Sequence, residues 1–241
     1  MATAGAADLA ARIGLPFTDL DLLRQALVHS SHSNERPQTG PPNERLEFLG
    51  DAVIGLVISE ALFANHPDED EGSLTTRRAS IVSARALARI ATRLDLGEYL
   101  LLGQGATVAG EGARNSVLAG AFEALCGAIY LDFGMERTRA WLLQVCAPEL
   151  SAQPSVSSLK APKSQLQELS YARSGRAPMY RLVSAEGPDH ARHYVIEALV
   201  DGEVVGRGEG RNRRDAETEA AREALATLVV GTPASVAEEA G

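Results

Sequence analysis

The chain has 241 residues, of which 45% are hydrophobic and 5% aromatic, enough for one large domain or two ordinary ones. Its net charge of −9 argues mildly against nucleic-acid binding, because nucleic-acid binders usually carry a basic patch. The acidity is uneven, since residues 1–159 carry a net charge of −7 whereas residues 160–230 are neutral overall. The distribution therefore leaves room for a basic cluster in the second part.

Cysteine usage and apolar runs suggest where the protein works. Cys126 and Cys146 form neither a disulfide framework nor a zinc-binding pattern, which favours a reduced, cytoplasmic setting. The first eight residues contain no basic region and no long apolar run, so we expect no secretory signal. No stretch approaches the roughly 18 apolar residues of a membrane span, so we expect no membrane partner.

Apolar periodicity predicts an all-helical first part. Two short helices, of which Thr18 or Asp19 is able to cap the second, precede a polar loop and a long acidic helix. Three further helices follow. The first of these three is rich in arginine, and a Gly-rich loop separates it from the second and third. The predicted helices cover residues 9–14, 19–29, 43–65, 73–94, 116–131 and 136–145, and the Gly-rich loop covers residues 101–112.

Three carboxylates mark the acidic helix. Glu44, Glu47 and Asp51 stand at i, i+3 and i+7, which places them on one helical face, and residues 52–59 after them carry no charge. A helix that is apolar on its other faces is a core helix, so the acids are expected at the edge of a core. A divalent cation with oxygen ligands would relieve their mutual repulsion. The alternative is an ordinary helix whose acids face water.

Glu123 is the single acid of the nearly uncharged helix predicted over residues 116–131. Alone, such a residue is more often a salt-bridged core residue than a catalyst. Antiparallel packing of the two helices, however, would bring Glu123 against Glu47 and Asp51. Converging carboxylates suit Mg²⁺, and the matching chemistry is hydrolysis of a phosphodiester by metal-activated water.

The composition changes after residue 150, where a Pro/Ser-rich linker at 151–159 leads to an α-β-β-β-α pattern. The helices are predicted at 162–171 and 213–229 and the strands at 179–184, 191–200 and 203–209, while 231–241 reads as a disordered tail. Asp201-Gly202 is a hairpin turn signal between the last two strands. The second part is therefore expected to be a small α+β domain.

A basic cluster opens the last predicted helix. Arg211, Arg213 and Arg214 surround Asn212, which is able to cap the helix with Asp215 three residues later. A capped helix N-terminus beside arginines forms an anion site, which favours contact with a phosphate backbone. The alternative is a solvated run of charge. Gln167, Glu168 and His190 are weaker candidates, since each alone is ordinary surface.

Several motifs together resemble a known family. Residues 43–53, Asn-Glu-Arg-Leu-Glu-Phe-Leu-Gly-Asp-Ala-Val, resemble the signature of bacterial ribonuclease III, and the segments at 26–31, 71–72 and 123–132 resemble its other blocks. Residues 163–168, 186–190 and 210–217 resemble parts of a double-stranded-RNA-binding domain. The resemblance covers roughly residues 8–230 in the family's domain order.

The resemblance implies an all-α endonuclease and dimerisation domain at 1–150 and a double-stranded-RNA-binding domain at 160–230. It implies a homodimer that cuts double-stranded RNA, such as rRNA precursors and other structured transcripts including mRNA. Cleavage would use Mg²⁺, with Mn²⁺ able to substitute, and leave 5′-phosphate and 3′-hydroxyl ends with short 3′ overhangs.

The same resemblance assigns roles by position. The metal ligands are expected to be Glu47 and Glu123, the catalytic acids Asp51 and Glu123, and the flanking acids of the cleavage groove Glu44 and Glu71. The RNA contacts are expected to be Arg211, Arg213 and Arg214 on phosphates, and Gln167, Glu168 and His190 in minor grooves, because such domains read A-form shape.

The chain departs from the family pattern at one position. The family usually has an Asp three residues before the acid of the second helix, and this chain has Gly120 there. Glycine inside a helix costs roughly 1 kcal/mol relative to alanine, so either close approach of a neighbouring helix or replacement of a ligand by water is expected. A second hypothesis is therefore a double-stranded-RNA-binding dimer with weak or lost nuclease activity. A third, a metal hydrolase of small phosphoesters, is disfavoured by residues 160–230.

Overall fold

The computed structural model describes residues 2–152, 155–188 and 192–230, without the side chains of residues 2–4, 157–158, 229 and 230. The chain divides into two compact units, residues 1–154 and 155–241. The predicted disordered tail at 231–241 and the predicted RNA contact His190 lie outside the described residues.

The first unit is helical, as predicted. Its only β-pairing among the described residues is an isolated bridge between Val28 and Leu101. The helices are α1 (Ala2–Arg12), α2 (Leu20–Ala26), α3 (Ser30–Glu35), α4 (Glu44–Asn65), α5 (Glu71–Ile81), α6 (Ala84–Arg93), α7 (Gln104–Val108), α8 (Asn115–Val145) and α9 (Ala147–Ser151).

The core of this unit lies between α4 and α8, and α6 also packs against α8. Fully buried side chains such as Ile54, Ile58, Phe122 and Leu125 belong to it. The helix α8 bends at Gly134, whose φ of 74° is the left-handed region that glycine adopts readily. Contrary to the sequence-based expectation, α8 is long and apolar enough to cross a membrane, but 61% of its most apolar window is buried inside the protein.

Two segments were each predicted to form one helix, and this prediction was wrong because the structure divides each of them between two helices. The helix expected at 73–94 is divided into α5 and α6 because the Ser83 side chain accepts a hydrogen bond from the Ala86 N–H and starts a new helix. The helix expected at 19–29 ends at Ala26, and α3 begins with His29 as its cap. The loop expected at 101–112 contains α7, whereas the helices expected at 116–131 and 136–145 belong to one bent helix.

The second unit consists of α10 (Val156–Leu159), α11 (Pro162–Ser174), β1 (Met179–Glu186), β2 (His193–Val200), β3 (Glu203–Gly210) and α12 (Arg213–Val230). The described residues form one antiparallel sheet in the order β1-β2-β3. Asp201 and Gly202 both have positive φ, as the predicted tight hairpin turn requires. The α+β prediction is therefore confirmed, although the short helix α10 lies within the predicted linker.

The helix α12 packs closely on β3 because both surfaces are small. A side chain at Gly206 or Gly208 would collide with the backbone of α12 at Ala220. Ala216, Ala220 and Ala224 are fully buried against this strand. This packing fixes the N-terminal end of α12 next to Gly210, the last residue of β3.

Candidate nuclease site and RNA-binding surface

The helices α4 and α8 touch through their backbones. A methyl group at Gly50 would overlap the carbonyl oxygen of Glu123, and one at Gly127 would overlap the carbonyl oxygen of Leu46. Glycine at these two positions removes the side chains that would hold the helices apart. The acids of α4 are thereby brought next to the single acid of α8.

Glu47 and Glu123 form the half-buried centre of this acidic group. Desolvation, followed by the charges of Glu47 and Asp51, raises the pKa of Glu123 to about 7. Burial raises the pKa of Glu47 as well, the Glu44 and Asp51 carboxylates raise it further, and His29 lowers it. The neighbouring carboxylates therefore make ionisation of Glu47 and Glu123 less favourable, which is the electrostatic situation that a bound cation relieves.

The Glu47 carboxylate lies directly over Gly120. A Cβ atom built on Gly120 would lie 2.8 Å and 3.1 Å from the two carboxylate oxygens of Glu47 and 2.9 Å from its Cδ. The space of a side chain at position 120 is thus filled by an acid that comes from α4.

The remaining predicted acids are arranged less tightly. Glu44 and Asp51 are exposed on α4 beside Glu47. Glu71 starts α5 and lines a cavity together with Ser59 of α4. Ser59 lies roughly 18 Å from Glu47 along the axis of α4. Within one chain, Glu71 is therefore not close to the other acids. Across the part of the chain that the structure describes, no three Asp, Glu, His or Cys residues form a group able to hold a metal ion.

The outward side of α4 carries large apolar residues. Phe48 is 81% exposed, Leu56 48% and Phe63 74%. Their spacing of eight and seven residues places them along one stripe of the helix. An open cavity of about 630 Å³ lies at the Phe63 end of this stripe, where Leu74 and Arg78 of α5 contribute to its lining.

The basic cluster of the second unit lies at the start of α12. Arg211, Arg213 and Arg214 are all exposed there. The Asn212 side chain accepts a hydrogen bond from the Asp215 N–H at 2.9 Å and donates to the Asp215 carboxylate at 2.8 Å. The predicted cap is therefore present, and the arginines surround an ordered helix N-terminus that suits a phosphate.

Two of the three weaker RNA candidates, Gln167 and Glu168, lie on α11. Gln167 and Glu168 are exposed, and the Glu168 carboxylate accepts hydrogen bonds from Lys160 Nζ at 2.7 and 2.8 Å. Lys160 was not singled out from the sequence, because nothing in its spacing indicates a partner on the next helix.

Sequence reasoning also missed His29. Its Nδ1 accepts a hydrogen bond from the Ser31 N–H at 3.3 Å, and this histidine is one of the groups that influence the pKa of Glu47, which it lowers. The motif at residues 26–31 contained this histidine, but its residue types alone did not indicate proximity to an acid on another helix.

Comparisons with known proteins agree with this arrangement. A family model described as Ribonuclease-III-like matches residues 19–150, and one described as a double-stranded RNA binding motif matches residues 162–228. A protein named Ribonuclease 3 from Dehalococcoides mccartyi is 40% identical over 90% of this chain and 92% of its own length. A protein also named Ribonuclease 3, from Mycobacterium tuberculosis, is 44% identical over 90% of this chain and 91% of its own length.

Among solved structures, the nuclease domain of ribonuclease III from Campylobacter jejuni is similar to the first unit. It is 36% identical, has a TM-score of 0.55, and covers 58% of this chain and 95% of that chain. With both family models matched in order, the chain belongs to the ribonuclease III family of endoribonucleases and carries the family's double-stranded-RNA-binding domain.

Proposed function

We propose that this chain is a Mg²⁺-dependent endoribonuclease that cuts double-stranded RNA as a homodimer in the cytoplasm. The observation that carries the proposal is the meeting of Glu47 and Glu123 across the contact between α4 and α8, in a chain with a double-stranded-RNA-binding domain. Its substrates would be rRNA precursors and other structured transcripts, and its products would carry 5′-phosphate and 3′-hydroxyl ends with short 3′ overhangs.

The acidic group suits a hard divalent cation. Its donors are carboxylate oxygens, and Mg²⁺ commonly takes only one or two protein carboxylates and keeps several waters. Glu47 and Glu123 would hold the ion, which also accounts for the cost of crowding these charges at a half-buried position. When bound, such an ion activates water and stabilises the leaving oxygen of a phosphodiester. Mn²⁺, which also prefers oxygen ligands, would substitute.

Asp51 and Glu123 would act on the reacting groups. Asp51 stands one turn after Glu47 on the same face of α4, and its charge reaches both of the half-buried carboxylates. A carboxylate in that position is suited to orient the attacking water and accept its proton. Glu44 would border the RNA at the start of α4.

The apolar stripe of α4 supports a homodimer. Phe48, Leu56 and Phe63 are all exposed on α4, and exposed apolar side chains grouped on one helix mark a candidate interaction surface. Two α4 helices meeting antiparallel about Leu56 would set the Phe48 of each protomer against the cavity beside Phe63 of the other. The Campylobacter jejuni nuclease domain is itself described as having a region involved in dimer formation.

A dimer of this kind would also explain Glu71. That residue lies at the Phe63 end of α4, far from the acids of its own chain, and an antiparallel partner would bring it toward the other protomer's acidic helix. Glu71 would then border the cleavage groove as a second-protomer acid.

Cleavage of a labelled RNA duplex tests the proposal. With Mg²⁺ we expect discrete shorter duplex products that carry 5′-phosphates, and without Mg²⁺ or with a single-stranded control of the same sequence we expect no cleavage. Intact duplex at every Mg²⁺ concentration would rule out the nuclease.

The second candidate is a double-stranded-RNA-binding dimer with weak or lost nuclease activity. It is favoured by Gly120 and by the fact that the described residues gather no three metal-binding groups. The same assay separates the two, because the second candidate predicts that the duplex is bound and shifted on a native gel but remains uncut.

A further inference from the structure

Lysine is rare in this chain, and both lysines lie at the start of the second unit. Of the 23 basic residues only Lys160 and Lys163 are lysines, and arginine occupies every other position. Both lie at the beginning of α11, and each donates a hydrogen bond to a carboxylate, Lys160 to Glu168 and Lys163 to Glu217. The surroundings of the two pairs differ, which distinguishes a lysine used for packing from one at a binding surface.

Lys163 belongs to the packing between the helices and the sheet. Its ammonium lies 2.5 Å from a carboxylate oxygen of Glu217 in α12 and 4.8 Å from the centre of the Tyr180 ring in β1. A cation over an aromatic face is a stabilising contact. Lys163 therefore joins three elements of the second unit, and its role is structural.

Glu168 lies instead on the exposed side of α11. Four exposed residues at i, i+3, i+4 and i+7 form one stripe along this helix: Ser164, Gln167, Glu168 and Tyr171. Glu168 is the only acid of α11, and it is predicted to enter a minor groove of duplex RNA together with Gln167. A bare carboxylate in that position would be repelled by the phosphates on either side of the groove.

The backbone of Lys160 is held beside this stripe. Its N–H donates to the carbonyl oxygen of Val156 in α10 at 3.3 Å, and its carbonyl oxygen accepts a hydrogen bond from Gln165 Nε2 of α11 at 2.7 Å. From this fixed point the ammonium reaches both oxygens of the Glu168 carboxylate, at 2.7 and 2.8 Å. The pair is partly exposed and so contributes little to stability. Its main effect is on Glu168, whose charge it offsets and whose orientation it fixes.

We propose that Lys160 is a positioning residue of the RNA-binding surface: it holds the Glu168 carboxylate, with its charge offset, in the orientation that accepts a hydrogen bond from a ribose 2′-hydroxyl. The inference rests on the proposed function, since it takes duplex RNA as the ligand of the second unit and Glu168 as one of its contacts. The 2′-hydroxyl is present in RNA and absent from DNA, so the pair would help the protein select RNA. The segment that precedes α11 is then part of the binding surface.

Equilibrium binding of labelled duplexes to the full-length chain tests this role, with Ca²⁺ in place of Mg²⁺. Lys160→Met removes the charge but keeps the apolar stem, and it should weaken binding of duplex RNA about tenfold or more, the scale of a lost hydrogen bond to a charged group. The loss should be smaller for an RNA–DNA hybrid of the same sequence, because one strand of the hybrid has no 2′-hydroxyl. Lys160→Arg keeps the charge and should bind both duplexes nearly as the parent chain does.

A second background shows whether Lys160 acts through Glu168. In a Glu168→Gln chain, which has no carboxylate to hold, the further substitution Lys160→Met should change RNA binding little. Arg222→Ala is the matched control, because it removes the cation of another exposed ion pair in the second unit, and it should leave both affinities unchanged. If Lys160→Met fails to fold, Lys160→Gln makes the same test with a polar side chain.

Several results would overturn the proposal. They are parent-like RNA binding by a folded Lys160→Met chain, an equal loss from this substitution in the parent and Glu168→Gln backgrounds, or no binding of duplex RNA by the parent. An equal loss for RNA and hybrid, with a salt slope shallower by about 1, would also overturn it, because Lys160 would then contact a phosphate directly.

The proposed nuclease activity fails separately from this role. A chain that shows the expected binding pattern but leaves duplex RNA intact in Mg²⁺ retains the role of Lys160 and loses the activity. A chain that cuts duplex RNA but shows no dependence of Lys160 on Glu168 retains the activity and loses the role of Lys160.

Discussion

Gly50 in α4 lies against the carbonyl oxygen of Glu123 in α8, so closely that a single methyl group would overlap it. This backbone contact holds the acids of the two helices at the same level. It also makes the candidate site depend on a residue that carries no functional group.

Gly50→Ala should destabilise the first unit, because the added methyl group meets rigid backbone rather than a movable side chain. Overpacking of a core typically costs about 1–3 kcal/mol, and we expect the upper part of that range. Chemical denaturation followed by circular dichroism measures the loss. Gly105→Ala, which adds the same group in open space, should leave the free energy of unfolding within about 1 kcal/mol of the parent. Equal stability of both variants would show that the helices are able to separate.

Asp51→Asn and Glu123→Gln should each reduce cleavage of duplex RNA by about 10²-fold or more, since groups that assist proton transfer contribute on that scale. Binding of the duplex, measured in Ca²⁺ by gel shift, should stay nearly intact. Glu136→Gln is the matched control, because Glu136 is a highly exposed acid of the same helix that pairs with Arg139. Robust cleavage by both site variants would refute the assignment of these acids.

The metal-free protein should lose stability as the pH rises from about 5 to 8. Folding raises the pKa of Glu123 from 4.5 to about 7, so the folded state holds this proton more tightly than the unfolded chain does. The bound proton therefore adds to the free energy of unfolding at low pH, and this stabilisation is lost as the proton dissociates. One pKa unit is worth about 1.4 kcal/mol, and allowing for partial exposure we expect about 1–2 kcal/mol in total.

Urea denaturation across this pH range, in the presence of a chelator, measures the effect. Glu123→Gln should remove most of the decline and make the metal-free protein more stable than the parent at pH 8. Parallel curves for parent and variant would mean that Glu123 titrates normally.

Arg213→Ala combined with Arg214→Ala should weaken duplex binding about equally for unrelated RNA sequences, because phosphate contacts carry no sequence information. The slope of log affinity against log salt should become shallower by about 1–2, as fewer counterions are released. Fluorescence anisotropy at several salt concentrations gives the slope. Arg222→Ala, on the same helix but paired with Glu219, should leave the slope unchanged. An unaltered slope in the double variant would remove this cluster from the RNA interface.

Phe48→Ser should shift the protein from dimer to monomer in sedimentation experiments, because it removes the most exposed large side chain of the α4 stripe. Loss of an aromatic side chain that anchors an interface in a pocket commonly costs about 2 kcal/mol or more, or roughly a 30-fold weaker association. Val108→Ser removes an apolar side chain that is 90% exposed on α7, away from the stripe, and should not affect association. A dimer that survives the Phe48 substitution would place the interface elsewhere.

The sequence by itself determined the features that depend on neighbouring residues. The helical face shared by Glu44, Glu47 and Asp51 follows from the spacing of the residues, and so does the tight turn at Asp201-Gly202. The cap of Asn212 on α12 was predictable for the same reason, because its hydrogen-bond partner stands three residues away. The family motifs are also local strings, which is why membership was recognisable before the fold was described.

Only the tertiary structure decided what depends on packing between distant segments. The break between α5 and α6 at Ser83 was hidden because apolar residues continue with helical spacing across it. The separation of Glu71 from the other acids and the pairing of Glu168 with Lys160 depend on how helices are arranged, which spacing does not specify. The surroundings of Gly120 also depend on packing. In the sequence, Gly120 stands where the family usually has an acid. In the fold, the Glu47 carboxylate occupies the space of the missing side chain, because the backbones of α4 and α8 are in contact at Gly50 and Gly127.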